Sequence, residues 1–353
     1  MIVSIWDFWF SFLKEDEIFF CKKNLRYVIS HSRSLIKTKP FYTQILLLLA
    51  MFNLTTTASR AKPGDSDNFE LGEGQDQILY DENTWDHYQQ MELILGRRGF
   101  RDIKLAGRGG SGTVVSALKG DSKVALKSSI SMPYSSSEQS PLEVLEAEAK
   151  NLEFLHDKNV PNIVGFNGLD YAFFDGFYGG FLELELCDRS AFDGRAYNPP
   201  QLVKHAVDAA ESLVQIHDSG LVHGDIKPAN ILVNGSGEVR LIDLATAREP
   251  SKEYQHSPLS PGYLAPELFN SLDRTRTGDV FSLAATVYNA VTGHGIRNEY
   301  EDIFRSPPRP SILNRRISDE LDHAITSGLE FYDRPDLGKF LKLLQETPEY
   351  SSD

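Results

Sequence analysis

Residues 222–233 read VHGDIKPANILV, and residues 241–245 read LIDLA. The stretch 223–245 predicts two short strands flanking a polar loop, and it contains Asp225, Lys227 and Asn230. Asp, Asn and Pro favour turns, so any one of these residues alone would indicate little. Their combination, followed by a further aspartate after the second strand, is the strongest functional signal in the chain.

A glycine-rich segment, GRGGSGTV, lies between two predicted strands and contains Gly107, Gly109 and Gly112. Because glycine has no side chain, these positions let backbone amides close over a phosphate group. An ordinary hairpin and a dinucleotide-binding turn share this pattern. The second requires a helix directly after the glycines and an acidic residue about 20 positions on. A β-branched strand follows here, which favours a hairpin.

The strand-like run KVALK ends in Lys127, and residues 141–157 predict an amphipathic helix. A lysine on a strand indicates a functional role only when a carboxylate on a helix can pair with its ammonium and hold it in place. Three glutamates on the helix are candidates: Glu143, Glu146 and Glu148. Glu148 is preferred because Leu152 and Leu155 follow it by four and seven positions, on the same face.

Alternating apolar residues predict strands in FRDIKLAG, TVVSALKG and KVALKSSI, and TWDHYQQMELILGR predicts a short helix before them. The run GFYGGFLELELCD leads into the helix-like QLVKHAVDAAESLVQIHDSG. Beyond Pro266 the pattern is mainly helical. The chain therefore combines a small antiparallel sheet with a longer helical part.

Taken in order, the glycine-rich loop, the VALK strand, the HGDIKPAN loop, the DLA triplet and PGYLAPE resemble the motifs of eukaryotic-type protein kinases, with HGD in place of HRD and DLA in place of DFG. The resemblance implies an α+β fold with two lobes: a small antiparallel β-sheet lobe with one helix, and a larger, mainly helical lobe. The expected segments are a hydrophobic N-terminal extension (1–58), an acidic, glycine-rich linker (59–82), a flanking segment with helical character (83–99), a kinase domain (100–346, with lobes at about 100–186 and 187–346) and a C-terminal tail (347–353).

By this resemblance, Asp225 accepts the proton of the attacking hydroxyl and Lys227 steadies the γ-phosphate. Asn230 and Asp243 are the expected Mg²⁺ ligands, so ATP and Mg²⁺ are the expected cofactors. Eight residues are expected to hold the nucleotide, the last two through the backbone of the hinge: Gly107, Gly109, Gly112, Val114, Lys127, Glu148, Glu185 and Cys187.

Other residues receive structural roles by the same resemblance. Glu267 is expected to pair with Arg334 and fasten the activation segment to the large lobe. Asp279 is expected to cap the catalytic loop from a central helix. Leu184 would guard the back of the adenine pocket, and His223 would pack in the core rather than act as a base.

The chain also departs from the family pattern. Gly224 stands where many kinases have an arginine that receives an activating phosphate, so activation by that route is not expected. Ala245 replaces a glycine and restricts the backbone torsions that flip the preceding aspartate. Ser260 replaces a threonine but keeps a hydroxyl able to reach Asp225 and Lys227. The lysine two residues after the aspartate is the arrangement of serine/threonine kinases.

The resemblance predicts ATP- and Mg²⁺-dependent transfer of the γ-phosphate to serine or threonine hydroxyls of protein substrates. One alternative is a pseudokinase that acts as a binding or scaffold module. It is disfavoured because five expected residues are all present: Lys127, Glu148, Asp225, Asn230 and Asp243. A second alternative is a small-molecule kinase of related fold. The APE segment and the DVFSL helix favour a protein substrate instead.

The composition of the chain limits the kinds of partner that it is expected to bind. The chain has 353 residues, a formal net charge of -14 and no long basic run. Because phosphate backbones are held mainly by Lys and Arg, a nucleic-acid partner is not expected. Cys21 and Cys187 suggest neither a disulfide framework nor a zinc site. A reducing, cytoplasmic location is the expectation.

Apolar runs within residues 1–54 make membrane association a second interpretation. The run at 41–54 is shorter than the roughly 20 residues that cross a bilayer and resembles the apolar core of a signal peptide. Export would separate a kinase from cytosolic ATP. A cytoplasmic protein is therefore favoured over one attached to a membrane.

Overall fold

The computed structural model describes residues 82–109, 112–129, 140–174, 177–192, 198–250, 260, 262–268, 274–296 and 307–352. The expected N-terminal extension (1–58) and the expected acidic linker (59–82) lie outside these ranges, apart from Glu82, which is the first residue of a helix. Within the described ranges, no helix combines the length and the apolar character needed to cross a membrane.

Five strands of the described ranges form one antiparallel sheet in the order β1-β2-β3-β5-β4. They follow a helix, α1 (Glu82–Arg97), and comprise β1 (Phe100–Gly109), β2 (Gly112–Lys119), β3 (Ser122–Ser129), β4 (Phe166–Phe174) and β5 (Phe177–Glu185). The predicted helix and the predicted strands β1, β2 and β3 are confirmed, and β5 lies in the run GFYGGFLELELCD, for which no element type is predicted. β4 occupies a stretch for which the sequence pattern predicts no strand.

The two faces of this sheet bury two separate sets of apolar side chains. On one face, Met91 and Leu95 of α1 pack with Val115 and Phe181. The neighbouring Leu182 belongs to the other core, which continues into the helical lobe. Successive side chains of a strand point to opposite faces, so the sheet separates the two cores. Strand β3, between β2 and β5, is thus covered on both sides.

Helix α2 (Pro141–Asp157) connects the sheet to the rest of the molecule. Ser140 and Glu143 form a reciprocal capping box at its start, which satisfies backbone donors that a helix N-terminus leaves open. The predicted apolar face is buried through Leu145, Leu152 and Leu155. That face contacts β4 and β5, so a carboxylate on the same face points toward the sheet.

The larger lobe is mainly helical, as the pattern beyond Pro266 predicts. Its helices are α3 (Pro199–Asp218), α4 (Arg276–Thr292), α5 (Pro310–Leu313), α6 (Asp319–Leu329) and α7 (Leu337–Gln345). A three-stranded sheet consists of β6 (Cys187–Ser190), β7 (Ile231–Asn234) and β8 (Val239–Leu241). Short 3-10 helices lie at Pro228–Asn230, Leu244–Thr246, Pro266–Leu268 and Tyr350–Ser352. The two-lobed α+β fold is confirmed.

Helix α4 is the centre of this lobe, and α6 packs against it at Gly328. A Cβ added to Gly328 would lie 2.5 Å from the Cβ of Ala284 and 2.7 Å from Cε2 of Phe340. Both distances are well below van der Waals contact. The three helices α4, α6 and α7 therefore approach each other as closely as they do because this residue has no side chain.

The substitution Gly328→Ala is expected to lower the free energy of unfolding by about 2 kcal/mol, since overpacking a tight helix contact forces the backbone apart. Gly338→Ala on α7 is the matched control, because its added Cβ would meet only Asp336 Oδ1, at 3.5 Å. Helix propensity should leave the control unchanged or up to about 1 kcal/mol more stable. Denaturant unfolding measures both. Equal stability of the two variants would contradict the packing described.

Candidate active site

Lys127 is the buried centre of the site. Strand β3 places it between Val114 on β2 and Leu182 on β5, with 5% of its surface exposed. Its Nζ lies 2.7 Å from Oε2 of Glu148 and 2.8 Å from Oδ1 of Asp243. Three residues that are distant in the sequence meet here, and we call them the lysine cluster.

The electrostatics of the lysine cluster keep its ammonium charged. Burial alone would lower the pKa of Lys127, because a charged group loses hydration inside a protein. The carboxylates of Glu148 and Asp243 outweigh that effect and hold the pKa of Lys127 above its usual value. The ammonium of Lys127 therefore stays charged although it is buried.

The structure distinguishes the three candidate glutamates of α2. Glu143 is engaged in the capping box, and Glu146 accepts a hydrogen bond from the Tyr171 hydroxyl at 3.1 Å. Glu148 is buried and faces Lys127. The position chosen from the spacing of the leucines is the one that lies in the lysine cluster.

Asp243 enters the cluster through a left-handed backbone turn, with φ of 61°. Aspartate tolerates this conformation better than most residues. Asn151 supports the turn, because its side-chain amide donates to the carbonyls of Leu244 at 2.8 Å and Ala247 at 2.9 Å. Sequence reasoning missed Asn151. Its position one turn after Glu148 places it on the same side of the helix, but no sequence pattern indicates which backbone it meets.

A second group of contacts, the catalytic-loop cluster, contains Asp225, Lys227, Asn230 and Ser260. Lys227 Nζ donates to Asp225 Oδ2 at 2.7 Å and to Ser260 Oγ at 3.0 Å. Ser260 in turn donates to Asp225 Oδ1 at 2.9 Å, and the Asn230 amide donates to Asp225 Oδ2 at 3.1 Å. Ser260 reaches both Asp225 and Lys227, as the sequence predicts. These contacts fix both carboxylate oxygens of Asp225.

Asp279 on α4 supports the catalytic loop from below, as predicted. Its Oδ1 accepts the Gly224 amide and its Oδ2 accepts the His223 amide, both at 2.9 Å. Burial would raise the pKa of Asp279, but the bonds from the His217 ring and the loop amides prevail and lower it. The ring of His223 is itself buried, with Nε2 3.1 Å from the carbonyl of Ile242, so it packs in the core as expected.

The backbone joins the two clusters. The amide of Ile242 donates to the carbonyl of Asn230 at 3.0 Å, which sets Asn230 beside Asp243. Their side chains supply amide and carboxylate oxygens, the ligands that Mg²⁺ prefers. The described ranges contain no group of three or more His, Cys, Asp or Glu suited to a metal. Mg²⁺ shared with phosphate oxygens and water needs no such group, so this donor set fits the ion.

The glycine-rich segment is a hairpin, as predicted. Gly107 pairs with Val114, and Gly109 pairs with Gly112, which has a φ of 132° that favours glycine. Strand β2 follows the glycines directly, so the dinucleotide-binding turn is excluded. Val114 also pairs with Lys127, which sets this hairpin next to the lysine cluster.

The predicted hinge lies between β5 and β6. Leu184 is buried, and the Glu185 carboxylate turns toward β7 and β8, where it accepts from Asn234 Nδ2 and Arg240 Nε, both at 2.7 Å. Burial would raise the pKa of Glu185, but these bonds lower it. Burial raises the pKa of Cys187 to about 12, so its thiol stays protonated. The side chain of Glu185 is therefore engaged by β7 and β8, and the binding role of the hinge backbone stays a prediction.

The expected ion pair between Glu267 and Arg334 is present. Arg334 Nη1 lies 2.5 Å from Glu267 Oε1 and 3.1 Å from the carbonyl of Thr277. Arg334 lies just before α7, whereas Glu267 belongs to the segment after the catalytic loop. The pair therefore fastens that segment to the helical lobe.

The substitution Asp279→Asn is expected to lower the free energy of unfolding at pH 7 by about 3 kcal/mol, because it removes the carboxylate of a buried hydrogen-bonded pair. The lowered pKa of Asp279 means that its contribution is fully present above the unfolded pKa of about 3.9 and is lost as the pH falls through the folded value.

Denaturant unfolding at several pH values should therefore show a gap between wild type and Asp279→Asn that is constant from pH 7 to about 5 and narrows below about 4. Asp218→Asn, an exposed change next to His217, should follow the wild type throughout. A gap that does not change with pH would contradict the assignment.

Comparison with known proteins agrees with this geometry. The family model described as "Protein kinase domain" matches residues 100–323, more than half of the chain. Mitogen-activated protein kinase kinase kinase 17 of Arabidopsis thaliana is 28% identical over 201 residues, covering 54% of this chain and 51% of that protein. Probable serine/threonine-protein kinase pknA2 of Bifidobacterium longum is 26% identical over 214 residues, covering 57% and 27%.

A third relative, proline-rich receptor-like protein kinase PERK5 of Arabidopsis thaliana, is 27% identical over 257 residues, covering 69% of this chain and 36% of that protein. The chain thus spans about half or less of the length of these relatives. The family match includes the glycine-rich hairpin, both clusters and Asp279. The chain belongs to the protein kinase family.

Proposed function

We propose that the protein transfers the γ-phosphate of ATP, with Mg²⁺, to serine or threonine hydroxyls of protein substrates. The observation that carries the proposal is the contact between the two clusters: Lys127 holds Asp243 at 2.8 Å, and the backbone joins Asp243 to Asn230 and hence to Asp225. A phosphate-binding cation and a proton-accepting carboxylate are thereby supported by one continuous set of bonds.

The nucleotide would bind between the hairpin and the hinge. Lys127 carries the charge for the α and β phosphates, and Glu148 keeps the ammonium in place. Backbone amides of Gly107, Gly109 and Gly112 would cover the phosphates. Val114 would contact the adenine, and the backbone of the hinge residues Glu185 and Cys187 would form hydrogen bonds with the base.

The transfer step requires a nucleophile aligned with the γ-phosphorus. Asp225 would accept the proton of the substrate hydroxyl as its oxygen bonds to phosphorus, while the bond to the bridging oxygen of the leaving ADP breaks. Lys227, held by Asp225 and Ser260, would stabilise charge on the transferred group. Asn230 and Asp243 would hold Mg²⁺, which neutralises phosphate charge when bound.

Two features support a serine or threonine in a protein as the acceptor. The lysine two residues after Asp225 follows the serine/threonine arrangement, and a relative bears the name of a serine/threonine-protein kinase. The Glu267–Arg334 pair anchors a segment that small-molecule kinases seldom contain. We further propose a cytoplasmic protein that binds no nucleic acid, in keeping with the net charge of -14.

A pseudokinase is the alternative function. Degenerate members usually lack at least one charged residue of the site, whereas Lys127, Glu148, Asp225, Asn230 and Asp243 are all present in the two clusters. A formed ion pair at Lys127 favours an active enzyme over a scaffold. The assay below separates the two.

The substitution Asp225→Asn is expected to reduce phosphate transfer from Mg²⁺-ATP to casein or myelin basic protein by about 10²-fold or more, because the amide cannot accept the proton. Asp121→Asn, on the exposed turn between β2 and β3, is the matched control and should keep wild-type activity. Radiolabel incorporation and phosphoamino-acid analysis give the rate and the acceptor. Equal incorporation by Asp225→Asn and wild type would remove the catalytic claim.

A further inference from the structure

Gly224, the residue before Asp225, is held on both of its peptide groups, on one side by α4 and on the other by the segment that leads into α4. Its amide donates to Asp279 Oδ1 at 2.9 Å, and its carbonyl accepts from Arg274 Nε at 3.1 Å. That carbonyl belongs to the peptide bond that joins Gly224 to Asp225. The bond from Arg274 therefore fixes the peptide plane from which the Asp225 side chain projects.

The side chain of Arg274 also occupies the space beside Gly224. Arg274 is 3% exposed, and a Cβ added to Gly224 would lie 3.1 Å from both its Cγ and its Cδ. Gly224 further adopts a φ of 81°, a conformation that residues with a side chain rarely adopt. The missing side chain at 224 and the arginine at 274 thus form one packing arrangement.

We propose that Arg274 is a positioning residue that holds the Gly224–Asp225 peptide and thereby orients the Asp225 carboxylate toward the hydroxyl of the substrate. This inference rests on the proposed function. It also explains the departure at Gly224: the glycine leaves room for a buried guanidinium that reaches the catalytic loop from α4. The arginine is supplied from position 274 rather than from within the loop.

Little empty space lies between Arg274 and the catalytic loop, so the loop has little room to shift while the arginine is in place. A cavity of about 10 Å³, no more than the space that a single water molecule needs, is lined by Asp225, Ser260, Tyr263 and Arg274 among others. Shortening Arg274 would enlarge this space directly beside Asp225. A methionine at 274 would retain most of the apolar stem while removing the donor to the Gly224 carbonyl.

The kinetic test compares Arg274→Met with Arg276→Met. Arg276 lies two residues further on and also donates to a backbone carbonyl, that of His217, at 2.7 Å, but does not touch the catalytic loop. Arg274→Met should lower kcat about tenfold or more, since small displacements of reacting groups cost that much, with the KM for ATP within about twofold of wild type. Arg276→Met should leave kcat unchanged.

The same kcat for both variants, or a rise in KM for ATP without loss of kcat, would overturn the inference while leaving the proposed function standing. No transfer by the wild-type protein would overturn both. If Arg274→Met does not fold, Arg274→Lys takes its place, because lysine keeps the stem and charge but lacks the Nε donor.

An unfolding cycle tests the packing without any activity. Gly224→Ala should lower Tm by several degrees in the wild-type background, because the new Cβ meets Arg274 and the backbone is strained. The same change should lower Tm by clearly less in an Arg274→Ala background, where only the strain remains. Equal losses in the two backgrounds would show that Arg274 does not constrain position 224 and would overturn the proposal.

Discussion

A buried ammonium held between two carboxylates is the interaction on which the rest of the site depends. Removing a charge from water is costly, and the cost is offset only when partners surround it with good geometry. Lys127 has such partners only if β3, α2 and the turn at Asp243 meet. The packing of the apolar face of α2 against the sheet brings α2 and β3 together. One charge cluster therefore ties the small lobe to the segment that follows the catalytic loop.

A second buried charge organises the larger lobe. Asp279 on α4 accepts two consecutive loop amides, and so determines the path of the chain into Asp225. The same helix is packed tightly through Gly328 against its neighbours. A rigid helical centre thus supports a loop whose side chains must hold a fixed orientation. The two buried acids, Glu148 and Asp279, thus support the lysine cluster and the catalytic loop respectively.

Local patterns were sufficient to predict most of the fold. Strands with alternating apolar residues and the helix with Leu145, Leu152 and Leu155 on one face appear where expected. β4 escaped prediction because it contains Gly168 and Asp170, residue types that are depleted in strands. Its formation depends on pairing with β5 over its full length, a tertiary effect that the sequence pattern does not express.

The residues of the site also fall into two groups, those that could be predicted from the sequence and those that could not. Residues that lie within contiguous motifs, such as Asp225 and Asp243, could be assigned from the resemblance of those motifs to the motifs of protein kinases. Asn151 and Arg274 could not, because each acts through a single side chain that meets the backbone of a segment distant in the sequence. The side chain of Glu185 likewise bonds to β7 and β8, a contact that its place in the hinge does not suggest. Such contacts exist only once the lobes have formed.

The central role of the lysine cluster is tested most directly by titration calorimetry of Mg²⁺-ATP binding. The variant is Glu148→Gln, and Glu146→Gln on the same helix is the control. Without the Glu148 carboxylate, Lys127 is left to Asp243, and binding should weaken about tenfold or more, since an interaction of at least about 1.4 kcal/mol is lost. Glu146→Gln should bind as the wild type does. Equal affinities of the two variants would show that the buried ion pair does not prepare the lysine for the nucleotide.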